Sequence, residues 1–215
     1  MNRYFILFVA LVATSLLRAQ SLDKLQWFNE PDSWQVRDGR LVMDVPAQCD
    51  YWRISHYGFT VDDGPFLYGL YGGEFEAKVK VSGDYKVRFD QAGMMLRIDH
   101  ENWLKAGIEF VDGKYNLSVV VTHKTSDWSV ITLDRPVDFV WIKAVRRLDA
   151  VEIFYSFDDK NYVMMRNCWM QDNIPMQVGM VAACPDGQGF KAKFEGFKVK
   201  HLPDQRRLKW LEEHQ

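Results

Sequence analysis

The chain has 215 residues, with 27 Lys and Arg against 29 Asp and Glu, giving a formal net charge of −2. So even a balance leaves no overall field that would recruit nucleic acid or anionic lipid. Three cysteines cannot close a disulfide framework and none lies in a C-x-x-C pair, while His56, His100, His123, His201 and His214 show no metal-ligand spacing, so no metal or cofactor is expected.

Arg3 opens a run from Tyr4 to Leu17 that contains no acidic residue and leads into Leu17-Arg18-Ala19-Gln20. The run is shorter than the roughly 20 residues needed to cross a bilayer. Positive charge, apolar core and small Ala19 together predict a signal peptide over residues 1–19, with Gln20 as the mature start. No second apolar segment follows, so no membrane span is expected after cleavage and the product is expected to be exported, to periplasm or medium. No cysteine stands at the cleavage point to take a lipid. Residues 20–215 then read as one domain, of a size that β-sandwiches reach without dividing.

Beyond the signal, apolar and polar residues alternate with period two, which places successive side chains on opposite faces of a sheet. The pattern predicts strands at Leu41 to Val45, Phe75 to Val81, Met94 to Ile98, Ala106 to Val111, Tyr115 to Thr122 and Ser129 to Leu133. It recurs at Phe139 to Val145, Val151 to Phe157, Tyr162 to Met165, Met176 to Ala182 and Phe190 to Lys200. Turn signals at Asp38-Gly39, Asp112-Gly113, Asp158 to Asn161 and Asp186-Gly187 join them as hairpins. The apolar phase slips at Gly196, as a β-bulge would make it. Only Asp204 to Glu213 has helical spacing, with Asp204 placed to cap. With no helix between the strands, the fold class is an all-β antiparallel sandwich with a short C-terminal helix. Many of the 8 Trp and 9 Tyr are expected to fill the space between its sheets.

Two stretches invite a functional reading. In the first, Asp50-Tyr51-Trp52-Arg53 and His56-Tyr57-Gly58-Phe59 lead into Asp62-Asp63-Gly64, where Trp52 and Arg53 either stack at a loop or plug one edge of the core. Two acids and a glycine fall short of a calcium ligand set. In the second, Asp90 to Asp99 and Trp103 to Glu109 form two strands closed by His100-Glu101-Asn102, which puts Gln91, Arg97, Lys105 and Glu109 among the candidates for one sheet face. Lys105 and Glu109 share a side; the phase across Gly93 leaves the others open. With Trp128 they make an aromatic and charged patch. Such a patch suits a sugar, whose apolar ring face stacks on an indole while amide and charged groups hydrogen-bond its hydroxyls. Salt bridges across strands would produce the same residues without any ligand.

No complete catalytic set is present. A glycosidase needs two carboxylates across a cleft, and only Asp90, Asp99 and Glu109 are at hand, with Asp99 at a turn. The E-x-D-x-x-E strand of sandwich-fold glucanases is absent, and the Glu74-Phe75-Glu76 pair reads as a solvated outward face. No G-x-S-x-G elbow occurs. For the cysteines, a Cys168–Cys184 bridge and three buried thiols are both open readings.

The ordered set Asp50-Tyr51-Trp52-Arg53, His56-Tyr57-Gly58-Phe59, Gly83-Asp84-Tyr85, Asp90-Gln91-Ala92-Gly93, Trp103 to Glu109, Tyr115, Ser126-Asp127-Trp128-Ser129 and Gly187-Gln188-Gly189-Phe190 resembles the regulation-of-enolase family, a domain-of-unknown-function group. The resemblance spans about Leu25 to Leu202. It implies a concanavalin A-like jelly roll of the lectin/glucanase superfamily, similar to the C-terminal sandwich module of some β-xylosidases. The chain departs from the family pattern at Asp62-Asp63-Gly64-Pro65, where Asp-Asn-Gly-His is usual. Enolase is a cytosolic enzyme, so the family name says little for an exported chain. The expectation is a lectin-like module that binds carbohydrate or another extended extracellular ligand on a concave sheet face. A protein-interacting or structural envelope protein and a glycoside-active hydrolase are the alternatives.

Overall fold

Alternation along the chain becomes sixteen strands in a computed structural model that describes Leu22 to His214; the predicted signal peptide lies outside the described residues. In chain order they are β1 (Gln26–Phe28), β2 (Trp34–Arg37), β3 (Arg40–Val45), β4 (Tyr51–Arg53), β5 (Thr60–Asp62), β6 (Phe66–Tyr71), β7 (Phe75–Gly83) and β8 (Gln91–Arg97). There follow β9 (Asn102–Val111), β10 (Lys114–His123), β11 (Thr125–Thr132), β12 (Val140–Arg147), β13 (Ala150–Ser156), β14 (Val163–Trp169), β15 (Met176–Ala183) and β16 (Phe190–His201). One helix, α1 (Gln205–Glu213), closes the described chain, and the Asp204 carboxylate accepts from the Arg206 and Arg207 N–H groups at its start.

Two antiparallel seven-stranded sheets face each other, one ordered β1-β6-β15-β8-β9-β10-β11 and the other β14-β13-β12-β7-β16-β3-β2. Their inner faces meet through Ala92, Met94, Leu96, Leu104, Ile108, Leu117, Val119, Val178 and Met180 from the first and Leu41, Met43, Ala77, Val79, Ile142, Ala144, Ile153 and Phe194 from the second. Burying each of the larger side chains contributes roughly 1.5–3 kcal/mol. The register of β16 against β7 shifts between Glu195 and Lys198, at the predicted bulge, and Gly196 there has a φ of 63°.

The first sheet departs from simple alternation. Its central strands β8, β9, β10 and β15 are buried on both faces. The cause is a third element, the β4–β5 hairpin, which lies over the outer face and buries Tyr51 and Trp52 against Phe66, Met95, Trp103, Val120 and Val181. Apolar residues on both sides of a strand, as in Met94-Met95-Leu96 and Val119-Val120-Val121, are what such double coverage requires.

Three expectations are corrected here. Cys168 and Cys184 form no bridge: Cys168 is in β14 of the second sheet, its Sγ 3.6 Å from Val151 O, while Cys184 follows β15 and makes an isolated backbone bridge with Cys49. Glu74 is not solvated but buried, because the Arg147 guanidinium (2.8 Å) and the Gln205 N–H (3.1 Å) at the start of α1 fold over it. The strand carrying Trp128 begins at Thr125 rather than Ser129, which puts the indole in mid-strand opposite Val120.

Gly93 and Gly107 are direct cross-strand partners in β8 and β9, and a Cβ on Gly107 would stand 2.0 Å from Ala92 O. The close approach has no room for a methyl group. Gly107→Ala is expected to lower the free energy of unfolding by about 1–3 kcal/mol, measured by urea denaturation; an unchanged midpoint would show that the strands separate without cost.

Candidate functional site

The site grows from one face of the β8–β9 pair. Gln91, Gly93, Met95 and Arg97 alternate outward, and their partners Glu109, Gly107, Lys105 and Trp103 point the same way, so the phase across Gly93 is unbroken. Beyond them Ser118 and Val120 of β10 and Trp128 of β11 continue the face. The glycine pair leaves a stretch of floor without side chains between Gln91 and Glu109 on one side and Met95 and Lys105 on the other.

The β4–β5 hairpin crosses this face. Its Tyr51 hydroxyl donates to Gly64 O (2.6 Å), its Arg53 N–H to Ser126 Oγ (3.0 Å), and the Arg53 guanidinium pairs with Glu101 (2.8 Å). Lys105, buried beneath it, donates to Tyr51 O (2.9 Å) and meets Asp50 Oδ1 at 3.3 Å. That carboxyl oxygen also accepts from the Tyr51 N–H (2.7 Å) and from Gln91 Nε2 (3.5 Å). A buried ammonium is tolerable because it is paired and hydrogen-bonded in this way.

Between the hairpin and the ends of the strands lies a cleft of about 230 Å³. Gln91, Lys105, Glu109 and Val120 face it from the sheet. Asp50, Trp52, Tyr57 and Phe59 of the hairpin, Arg88 and Phe89 of the β7–β8 loop, Pro185 and Asp186 of the β15–β16 loop, and Trp128 wall it. Five aromatic rings thus surround a polar floor. Trp128 is 36% exposed and lies on the outer face rather than between the sheets, edge-on to Phe89 at 6.3 Å. Its indole N–H is shared between Glu109 Oε2 (2.9 Å) and Ser118 Oγ (3.0 Å), which fixes the ring's orientation.

Glu109 is only 5% exposed. Burial raises its carboxyl above the usual carboxylate range, against the opposing pull of the Lys105 charge and of hydrogen bonds from Ser118 and Trp128. A group poised this way can accept or, once protonated, donate a hydrogen bond to a hydroxyl.

The structure therefore brings Gln91, Lys105, Glu109 and Trp128 to one cleft. Arg97 shares the face but not the cleft, since it turns under β5, the other strand of the hairpin, to Asp62 Oδ2 (2.9 Å) and Gln177 Oε1 (3.1 Å), above the ring of Phe28. Asp62 and Asp63 are likewise occupied, Asp63 Oδ1 accepting from the Asp50 N–H (2.8 Å), and no cluster of three metal-ligating side chains occurs among the described residues. Trp52 and Arg53 do not stack on each other; Trp52 packs edge-on to Tyr57 at 5.5 Å and donates to Ser55 O (2.8 Å). Asp90 is buried away from the cleft, accepting from the Lys86 and Val87 N–H groups at 2.8 Å each, and Asp99 holds the β8–β9 turn. Sequence reasoning missed Phe89, Arg88, Pro185 and Asp186, which lie on loops. The Asp186-Gly187 turn and the aromatic Tyr57-Gly58-Phe59 loop were the available signals, but neither tells which strand ends the fold brings together.

The family model described as "Protein of unknown function (DUF1349)" matches residues 27–202. "Regulation of enolase protein 1" from Saccharomyces cerevisiae is 36% identical over 173 residues, covering 80% of this chain and 87% of that protein. "Uncharacterized protein AN7484" from Emericella nidulans is 26% identical over 178 residues, 72% of this chain and 82% of that one. Among solved structures, a functionally unknown protein from Saccharomyces cerevisiae superposes with a TM-score of 0.82 at 34% identity, over 86% of this chain and 100% of its own. A GH43 protein, BlXynB of Bacillus licheniformis, shares the sandwich at a TM-score of 0.66 and 18% identity, over 83% of this chain but only 37% of its own.

The raised Glu109 makes a stability prediction whose sign is fixed by linkage. A carboxyl that is harder to ionise folded than unfolded binds more protons in the native state, so its penalty is absent at low pH and grows as pH rises from the usual carboxylate range. Glu109→Gln, which keeps an acceptor for Trp128, is expected to gain stability relative to the parent as pH is raised from about 4 toward neutrality. Urea denaturation of both proteins at several pH values checks this; a constant difference across that range would mean that Glu109 carries no burial penalty.

Proposed function

We propose, starting from the fact that this chain belongs to the DUF1349 family of proteins of unknown function, that it is an exported lectin-like module binding carbohydrate in the cleft between the β4–β5 hairpin and Trp128. The observation that carries this reading is the make-up of the cleft: Trp52, Tyr57, Phe59, Phe89 and Trp128 around a floor of Gln91, Lys105 and Glu109. Aromatic rings take the apolar C–H face of a pyranose, and an amide, an ammonium and a carboxyl supply donors and acceptors for its hydroxyls. Trp128 is held for that role, because its N–H is tied down to Glu109 and Ser118 while its ring stays accessible. The β-sandwich shared with GH43 proteins supports the lectin-like architecture and carries no ligand with it.

Export rests on the N-terminal order of Arg3, the apolar run to Leu17, and Ala19. It sets aside the enolase connection in the yeast relative's name, since the two proteins would occupy different compartments. Hydrolysis is not supported. Asp90 is absent from the cleft, one oxygen of Asp50 is already engaged by Lys105 and the Tyr51 N–H, and the remaining acid, Asp186, stands on the β15–β16 loop and not on the floor with Glu109, so no observation favours a paired-carboxylate mechanism.

Affinity electrophoresis and calorimetry against xylan, arabinan, cellulose, mannan and β-1,3-glucan test the reading. Trp128→Ala is expected to weaken binding tenfold or more, equivalent to about 1.4 kcal/mol, whereas Trp169→Ala on edge strand β14 of the second sheet, outside the cleft, leaves it unchanged. Equal effects of the two substitutions would place binding elsewhere.

A further inference from the structure

We infer that the cleft receives a single residue at the end of a saccharide chain, and does not grip an internal stretch of polymer. This rests on the carbohydrate reading above and concerns which part of the chain is recognised.

The first observation is the path of the hairpin. Tyr51 and Trp52 pack on Phe66 of β6, Val181 of β15, Met95 of β8, Trp103 of β9 and Val120 of β10, and Arg53 reaches Ser126 of β11. The hairpin therefore spans the outer face from β6 to β11. A polymer laid along these strands would run into it, since Lys105, Asp50 and Tyr51 are bonded to one another across the path.

The second is what closes the opposite end. Arg88 and Phe89 before β8, and Pro185 and Asp186 after β15, rise at the strand ends facing the hairpin, while Trp128 stands on the β11 side. The Arg88 guanidinium rests on the Phe89 ring (4.4 Å) and Phe89 meets Trp128, so these three form a continuous stretch of wall.

The third is size. The cleft is about 230 Å³. An apolar cavity of roughly 150 Å³ holds one benzene ring, and sites for drug-sized ligands begin near 300 Å³. One pyranose with its hydroxyls fits between these limits, and a second linked residue would lie in the open mouth of the cleft, outside its aromatic walls. The charges at the floor are balanced, with Lys105 paired to Asp50 and Glu109 buried, which favours a neutral sugar over a uronate or a sulfated one. The loop over the entrance is set by positive φ at Ile54, His56 and Gly58, and its Tyr57 and Phe59 rings stack at 5.7 Å, so the aromatic rim is in place before any ligand arrives.

Chain-end recognition makes binding depend on the number of ends and not on the mass of polymer. The purified protein would be titrated against the five polysaccharides named above, each intact and after limited acid hydrolysis to progressively shorter chains, at equal mass. Binding capacity per gram is expected to double each time the mean chain length is halved, and the free monosaccharide should compete within about tenfold of the oligosaccharide; Trp128→Ala should lose both. Capacity that stays constant per gram, or that requires chains of several residues, would overturn chain-end recognition while leaving carbohydrate binding intact. Absence of binding to every intact and hydrolysed sample would overturn the carbohydrate reading, and this inference with it.

Discussion

The contact on which the rest of the site depends is the buried ammonium of Lys105, held between Asp50 Oδ1 and Tyr51 O. It anchors the β4–β5 hairpin to the middle of the first sheet. Ion pairs of this kind add little net stability against an apolar replacement, but removing one partner alone costs roughly 3–5 kcal/mol because the other charge is left buried. The arrangement is thus better suited to fixing one position of the hairpin than to strengthening the fold. On the other strand of the hairpin, at the same open end, Arg97 and Asp62 repeat the device at 2.9 Å, so both strands of the hairpin are held at their base by positive charges from the sheet beneath.

From that constraint the cleft follows. Were the hairpin absent, the outer face of the first sheet would be an open surface carrying Met95, Trp103, Val120 and Val181 into water, an apolar patch that soluble proteins seldom leave uncovered. With the hairpin in place those side chains become a second small core, and a recess is left beside it, lined by Gln91, Lys105, Glu109 and Trp128. The same burial acts on Glu109, whose carboxyl is raised by desolvation yet kept hydrogen-bonded to the indole N–H of Trp128. Packing, electrostatics and ring orientation are therefore set together.

Much of this was legible in residue order, and the limits are physical. Period-two alternation located most long strands, and the phase slip at Gly196 located the bulge. Lys105 and Glu109 could be placed on one side because four residues in a strand preserve the face. Short strands such as β1, β4 and β5 carry too few residues for a period to register. Arg97 obeys the same alternation as Gln91, yet its partner is chosen by a segment more than thirty positions away, so no local pattern separates the two. Glu74 looked like half of a solvated pair, and only the return of Arg147 and the start of α1 buries it. The pairing of Cys49 with Cys184 is long-range in the same sense.

The most direct test of the account is the response of the indole N–H signals in a ¹⁵N spectrum, assigned by Trp→Phe variants, as neutral oligosaccharides from the same polysaccharides are added. Trp128 and Trp52, which line the cleft with their N–H groups fixed by Glu109 and Ser55, are predicted to shift with saturation. Trp141 and Trp169 on the second sheet should not move. Saturable shifts confined to Trp141 or Trp169, with Trp128 and Trp52 unmoved, would contradict the placement of the site beneath the hairpin.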